Sequence, residues 1–188
     1  MLKNLPILTS AALILVLPVG SGLAQDEAVA THVPESEIMA AYQGIDAFPD
    51  QQVRVVDIGD NINVAVGILR REATYTDDGE PVTSLAHHDI TEVYYVIPGS
   101  GVLVTGGEAQ DDREVPATTA IVRELVGPSA FRTVTGGEKM IISTGDVVVI
   151  PSGVAHGFSH ILDEITYLSI RVDPNQVLPA GYKHPLID

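Results

Sequence analysis

Along the middle of the chain, apolar and polar residues alternate in short runs, the period-two signature of half-buried strands. Val53, Val55 and Ile58 fit one such strand, and residues 62–69 fit a second after an Asp60-Asn61 turn. Arg70, Arg71 and the polar stretch 77–81 read as a connection. Residues 82–88 predict a strand ended by a bend at Asp89-Ile90-Thr91. Residues 92–97 predict the next, with Pro98-Gly99-Ser100-Gly101 as a tight turn and 102–105 as its hairpin partner. The runs 139–143, 146–150, 156–160 and 165–172 complete the pattern. Between 106 and 137 it weakens: the acidic stretch 108–114 reads as exposed loop and 120–125 as a strand. Only 35–42 reads as helix, with Gly44 as its C-cap. About ten short strands with Gly/Pro turns predict an all-β fold, an antiparallel sandwich or barrel. The tail after Asp173 carries three prolines and reads as an extended segment wrapping a neighbouring surface.

Composition adds limits to this picture. The 188 residues suit one domain, placed at 51–173, with a leader and short helix at 25–50 and a tail at 174–188. Residues 1–24 stand apart: Lys3, an apolar run over 5–19 and a small-x-small ending at Gly22-Leu23-Ala24 make the pattern of a cleaved secretory signal peptide. The competing reading is an uncleaved membrane anchor; Pro6, Pro18 and the small-residue ending favour cleavage, hence a periplasmic or secreted protein without stable membrane insertion. The chain has no cysteine, so its core, helped by any bound metal, must hold the fold. The net charge of −15 becomes about −16 once Lys3 is removed, which argues against nucleic acid and anionic membranes as partners.

Candidate chemistry gathers in two stretches. Residues 145–160, GDVVVIPSGVAHGFSH, combine an apolar strand, a Pro151-Ser152-Gly153 turn and a second strand that opens with His156. Residues 85–101 supply the adjacent His87 and His88, Glu92 and Gly99. Gly145, Pro151, Gly153 and His156 stand at the spacing of the second motif of the cupin superfamily, with His160 where that motif usually has Asn. Glu92 and Gly99 fit the first motif, and Gly79 fits as well if His87 is its second histidine; Leu85 then replaces the first. With His88 as the second histidine, Ala86 replaces the first and Gly79 falls out of line.

Over roughly 53–172 the chain therefore resembles cupins. The resemblance implies a double-stranded β-helix, or jelly-roll, barrel, often dimeric, with a divalent metal inside. Its ligands carried onto this chain are His87 or His88, Glu92 and His156, and both adjacent histidines only if a bulge at Asp89 turns them the same way. His87 is the favoured ligand. Two neutral imidazoles and a carboxylate leave open positions on Fe(II), Mn(II), Ni(II) or Zn(II). Alternation puts Tyr94 and Val96 on the Glu92 face and His160 with Phe158 on the His156 face. Tyr94 is thus the candidate pocket donor and His160 the candidate acid/base. Arg171, on the polar face with Tyr167 and Ser169, reads either as a substrate-carboxylate anchor or as an exposed rim residue. His32 and His184 lie outside the predicted core.

The expectation is an exported, homodimeric, metal-dependent enzyme acting on a small organic molecule, of oxygenase or lyase/isomerase type. The alternatives are a binding module without chemistry and a structural dimer with a vestigial site.

Overall fold

The computed structural model describes residues 29–46 and 48–187. The expected signal segment lies outside the described residues. Helix α1 (Glu35–Tyr42) is followed by nine strands: β1 (Asp50–Asp57), β2 (Asn63–Tyr75), β3 (Val82–His87), β4 (Thr91–Thr105), β5 (Glu108–Glu114), β6 (Ser129–Thr135), β7 (Glu138–Ser143), β8 (Val147–Ile150) and β9 (His156–Asp173). All pairings are antiparallel. No described helix is long and apolar enough to cross a membrane.

Two long strands make the barrel. The C-terminal part of β9 lies between β2 and the start of β4, and β8 pairs on the other side of that same start. The N-terminal part of β9 pairs the end of β4 and touches β3, which carries β6 and then β5; β7 pairs the end of β4. β4 and β9 thus run through both layers of a jelly roll, and Leu69, Tyr94, Val96, Leu103, Ile142, Ile150, Ile161, Ile165 and Tyr167 fill the space between them. A second apolar layer lies outside, where Ala41 and Ile45 cover Val53 and Ile68. β1 serves both layers: alternation turns Gln52 inward to Arg171 and Val53 towards α1, and the register shifts between Gln52 and Arg54.

Several sequence expectations change. The Pro98–Gly101 turn is instead a bulged bend in a continuous β4. Gly99 there has φ +100°, and a Cβ would come within 2.2 Å of the Glu164 carbonyl oxygen, so only glycine lets the two strands cross so closely. The acidic stretch Glu108–Glu114 is a strand, fully exposed at the sheet edge, paired with a β6 that the weak pattern concealed. Ile121–Leu125 is a single π-helical turn and not a strand. Gly44 does not adopt the left-handed conformation of a C-cap glycine; α1 ends at Gln43 in a right-handed conformation. The tail wraps its own barrel: Tyr182 O accepts from Val55 N, Gly181 N and His184 N donate to β1 carbonyls, and Leu178 packs on Val55, Ala65 and Ile90.

Candidate metal centre

The site forms where β3 ends, β4 begins and β9 begins. The turn at Pro151–Gly153 closes against β3 because Gly153 N donates to the His87 carbonyl at 2.6 Å. That bond fixes the turn before His156 to the strand end that carries His87. Glu92 sits in register with Ile150 on one side and Arg171 on the other. The outcome is a buried group, His87, Glu92 and His156, whose candidate ligand atoms all lie within 4.8 Å of one another.

Hydrogen bonds fix what each group presents. Ser129 Oγ donates its proton to the Gly127 carbonyl at 2.9 Å, so its lone pair accepts from His87 Nδ1–H, also at 2.9 Å. His156 Nδ1 lies 3.0 Å from the Val154 carbonyl, which can only accept. Assigned from these partners, both rings carry a proton on Nδ1 and turn Nε2 towards Glu92, each 3.1 Å from Oε2. Burial holds the His87 ring below the ordinary imidazole range, with Glu92 opposing the shift, and so keeps it neutral. Burial alone would lift the Glu92 carboxyl; imidazole charge and N–H donation, where a proton rather than an ion stands at Nε2, together with the Arg171 guanidinium outweigh it and hold Glu92 well below the usual carboxylate range.

Two imidazole lone pairs and an ionised carboxylate oxygen therefore face a common point. Such a set of acceptors repels itself unless a cation stands among them, and it is the donor set that a borderline divalent ion takes. Bonds from Nδ1 to a hydroxyl and a carbonyl are also the arrangement that orients metal-bound imidazoles.

Around this set stand Ser169 and Arg171, which the pattern placed on one polar face without tying them to Glu92, and Gln52 and Asp50, which it did not single out. Glu92 Oε1 accepts from Ser169 Oγ at 2.7 Å and from Arg171 Nε at 3.2 Å. Arg171 also donates to Gln52 Oε1 at 2.8 Å and Asp50 Oδ2 at 2.6 Å, and its side chain is 0 % exposed. It is neither a rim residue nor a free anchor, since all three of its nitrogens are engaged. The inward face of Tyr167, Ser169 and Arg171 was the available sequence signal for this network; its partners on β1 were not visible without the pairing of β1 with β2.

Tyr94 donates its hydroxyl to Glu92 Oε2 at 3.0 Å. Burial, and then the Glu92 charge, push its phenol well above its ordinary range, so it remains a donor. His88 is not brought to the centre: its Nε2 lies 2.9 Å from Glu114 Oε2 on the outside of the barrel, because β3 stays regular to His87 and sends the next side chain to the opposite face. His160 is not brought to it either. Val102 and Leu103 are consecutive on β4, yet they face His160 and Phe158, so Ser159 is an extra residue in β9. This bulge reverses the alternation, leaving Phe158 on the cavity and setting His160 against the Tyr75 ring, at 4.7 Å between centroids.

The cavity beside the centre holds about 440 Å³ and is lined by Leu103, Phe131, Phe158 and Tyr167 around His87, Glu92 and His156. Phe48, Pro49, Ile121 and Leu125 also line it. A closed antiparallel jelly roll with an imidazole–carboxylate centre at one end is a cupin-type barrel. The fold is that of cupins.

No family model matches the chain. An uncharacterized protein of Streptomyces coelicolor is 28% identical over 112 residues, covering 60% of this chain and 72% of that protein. Among solved structures, a cupin protein from Bacteroides fragilis is 20% identical with a TM-score of 0.35, covering 64% of this chain and 72% of that one. A Bacillus halodurans protein is 16% identical with a TM-score of 0.42, covering 85% and 92%. A DMSP lyase from Ruegeria pomeroyi is 14% identical with a TM-score of 0.34, covering 66% and 44%.

Proposed function

We propose that this protein is an exported, metal-dependent enzyme acting on a small organic molecule, with His87, Glu92 and His156 holding Fe(II), Mn(II), Ni(II) or Zn(II). The observation that carries the reading is the convergence of two imidazole lone pairs on an ionised, buried carboxylate with no cationic side chain between them. Bound there, such an ion supplies a Lewis acid with open coordination positions and, if it is iron(II), one-electron chemistry. The chain's own part is to orient and exclude water. Ser129 and the Val154 carbonyl fix the imidazoles, Arg171 and Ser169 hold the far oxygen of Glu92, and the aromatic lining keeps the substrate's body dry.

The position of His160 removes it as the proton acceptor of a lyase or isomerase. A lyase or isomerase needs a residue that takes a proton from the substrate. His160 does not line the cavity, and Tyr94 and Tyr167 are both pushed towards the protonated phenol by burial. Glu72, a carboxylate of the lining outside the Arg171 network, is the side chain left for that task, and an oxygenase using dioxygen would not need it.

The test is anaerobic reconstitution with iron(II), followed by oxygen uptake across a panel of phenols, keto acids and thiols. The reading expects uptake with at least one class and none in Glu92→Ala. Tight retention of a small molecule without turnover under any metal would favour the second reading, a binding module. Export rests on the pattern of residues 1–24 and predicts a mature N-terminus at Gln25. Pairing of two copies is supported by the exposed apolar outer face of β4 and β8, Tyr95, Val147 and Val149.

A further inference from the structure

The cavity holds a second polar feature besides the metal centre. Arg71 lies on β2 two residues beyond buried Leu69, on the face that looks into the barrel, and its side chain lines the cavity. Among the described residues its one polar contact is Nε to the Tyr167 hydroxyl, at 3.4 Å. No carboxylate of the described residues forms an ion pair with it, and Nη1 and Nη2 are left without partners. Arg171 is its opposite, with every nitrogen donating to a side chain.

Charge in the cavity makes the contrast informative. Its ionisable acids are Asp50, Glu72 and Glu92. Arg171 takes Glu92 and the Oδ2 of Asp50, whose Oδ1 has no hydrogen-bond partner among the described residues, and Glu72 is exposed. That leaves Arg71 as the one cationic side chain of the lining with donors to spare. A guanidinium partly withdrawn from water is costly unless an anion meets it, and its planar pair of Nη groups matches a carboxylate in bidentate fashion. A chain of contacts links it to the metal centre: Tyr167 receives Arg71, the Tyr167 and Tyr94 rings pack at 4.4 Å, and Tyr94 donates to Glu92. Arg71 and the His87–Glu92–His156 group line the same cavity.

We propose that Arg71 is the specificity-determining residue of this cavity and that the substrate is a small organic acid. Its carboxylate sits on Nη1 and Nη2 of Arg71, its apolar body lies against Leu103, Phe131 and Phe158, and its far end faces the His87–Glu92–His156 centre. The inference rests on the metal-enzyme reading for the far end only; the carboxylate subsite stands on Arg71 alone.

The experiment pairs acids with their primary amides, benzoate with benzamide and phenylacetate with phenylacetamide, titrated calorimetrically into zinc-loaded and chelator-stripped protein. The inference expects the acid of at least one pair to bind about tenfold more tightly than its amide. Arg71→Met abolishes that preference and Arg71→Lys keeps part of it, with metal content and melting temperature of both unchanged. Should Arg71→Met fold poorly, Arg71→Gln takes its place. Equal affinity within every pair, absence of binding by both members of every pair, or a preference that survives in Arg71→Met overturns the proposal. If the protein binds no metal yet prefers acids through Arg71, the metal-enzyme reading falls and the carboxylate subsite stands. Metal binding with no acid preference removes the subsite and leaves the metal centre standing.

Discussion

Glu92 accepts from Ser169, Arg171 and Tyr94 while facing two imidazoles, so five side chains meet at one carboxylate. Of these Arg171 carries the largest consequence, since it also neutralises Asp50. Arg171→Met leaves two buried carboxylates without their cation and should cost roughly 3–5 kcal/mol of stability in urea unfolding, the range for breaking a buried pair from one side. Gly67 tests the same network from the backbone. A Cβ there would stand 2.9 Å from Arg171 Nη1, and that guanidinium cannot yield because three partners lock it. Gly67→Ala is therefore expected to lower the melting temperature and weaken metal binding together. His88→Ala removes only an exposed contact with Glu114 and is expected to change stability by about 0.5 kcal/mol or less in the same unfolding assay.

Strands decide which of these side chains could be read from the sequence. Period two along 92–96 correctly places Glu92, Tyr94 and Val96 on one buried face. The same logic fails at His160, because the extra residue Ser159 in β9 reverses the face, and nothing in Phe158-Ser159-His160 distinguishes a bulge from a regular strand. It also fails at Pro98–Gly101, whose residues signal a turn but here bend a strand over β9. Arg71 falls in what reads as a connection because β2 continues to Tyr75, past the point where the apolar pattern stops. The tail was legible as a wrap but not as an anchored one. His184 Nε2–H donates to Gln51 Oε1 at 3.0 Å and its Nδ1 accepts from Leu186 N at 3.2 Å, so the docked ring is neutral. Desolvation lowers the His184 value from its ordinary 6.5, so the unfolded or undocked tail binds a proton more readily than the docked one. The docking contribution is complete above pH 6.5 and is lost as pH falls through the lowered value. Protection factors across 177–187, that is exchange corrected for its intrinsic pH dependence, should fall in wild type as pH drops below 6.5, and His184→Gln should flatten that dependence.

At the scale of the whole molecule, the architecture was readable because turn signals and alternation repeat along the chain, whereas the layering was not. Which strands lie in both layers depends on β4 and β9 staying continuous through bulges, and that is a tertiary fact. The outer face of β4 and β8 leaves Val147 and Val149 more than half exposed beside Tyr95. If this face joins two copies, Val149→Lys yields a monomer by sedimentation velocity with the metal content unchanged; a wild-type monomer would remove the pairing proposal and leave the centre intact.

The centre itself is tested most directly by calorimetric titration of chelator-stripped protein with Zn(II), in wild type and in single alanine variants of His87, His88, Glu92, His156 and His160. The account predicts one ion per chain, binding abolished or weakened at least about tenfold by His87→Ala, Glu92→Ala and His156→Ala, and no change in His88→Ala or His160→Ala. Binding that survives the loss of Glu92 or His156, or that depends instead on His88 or His160, would contradict it.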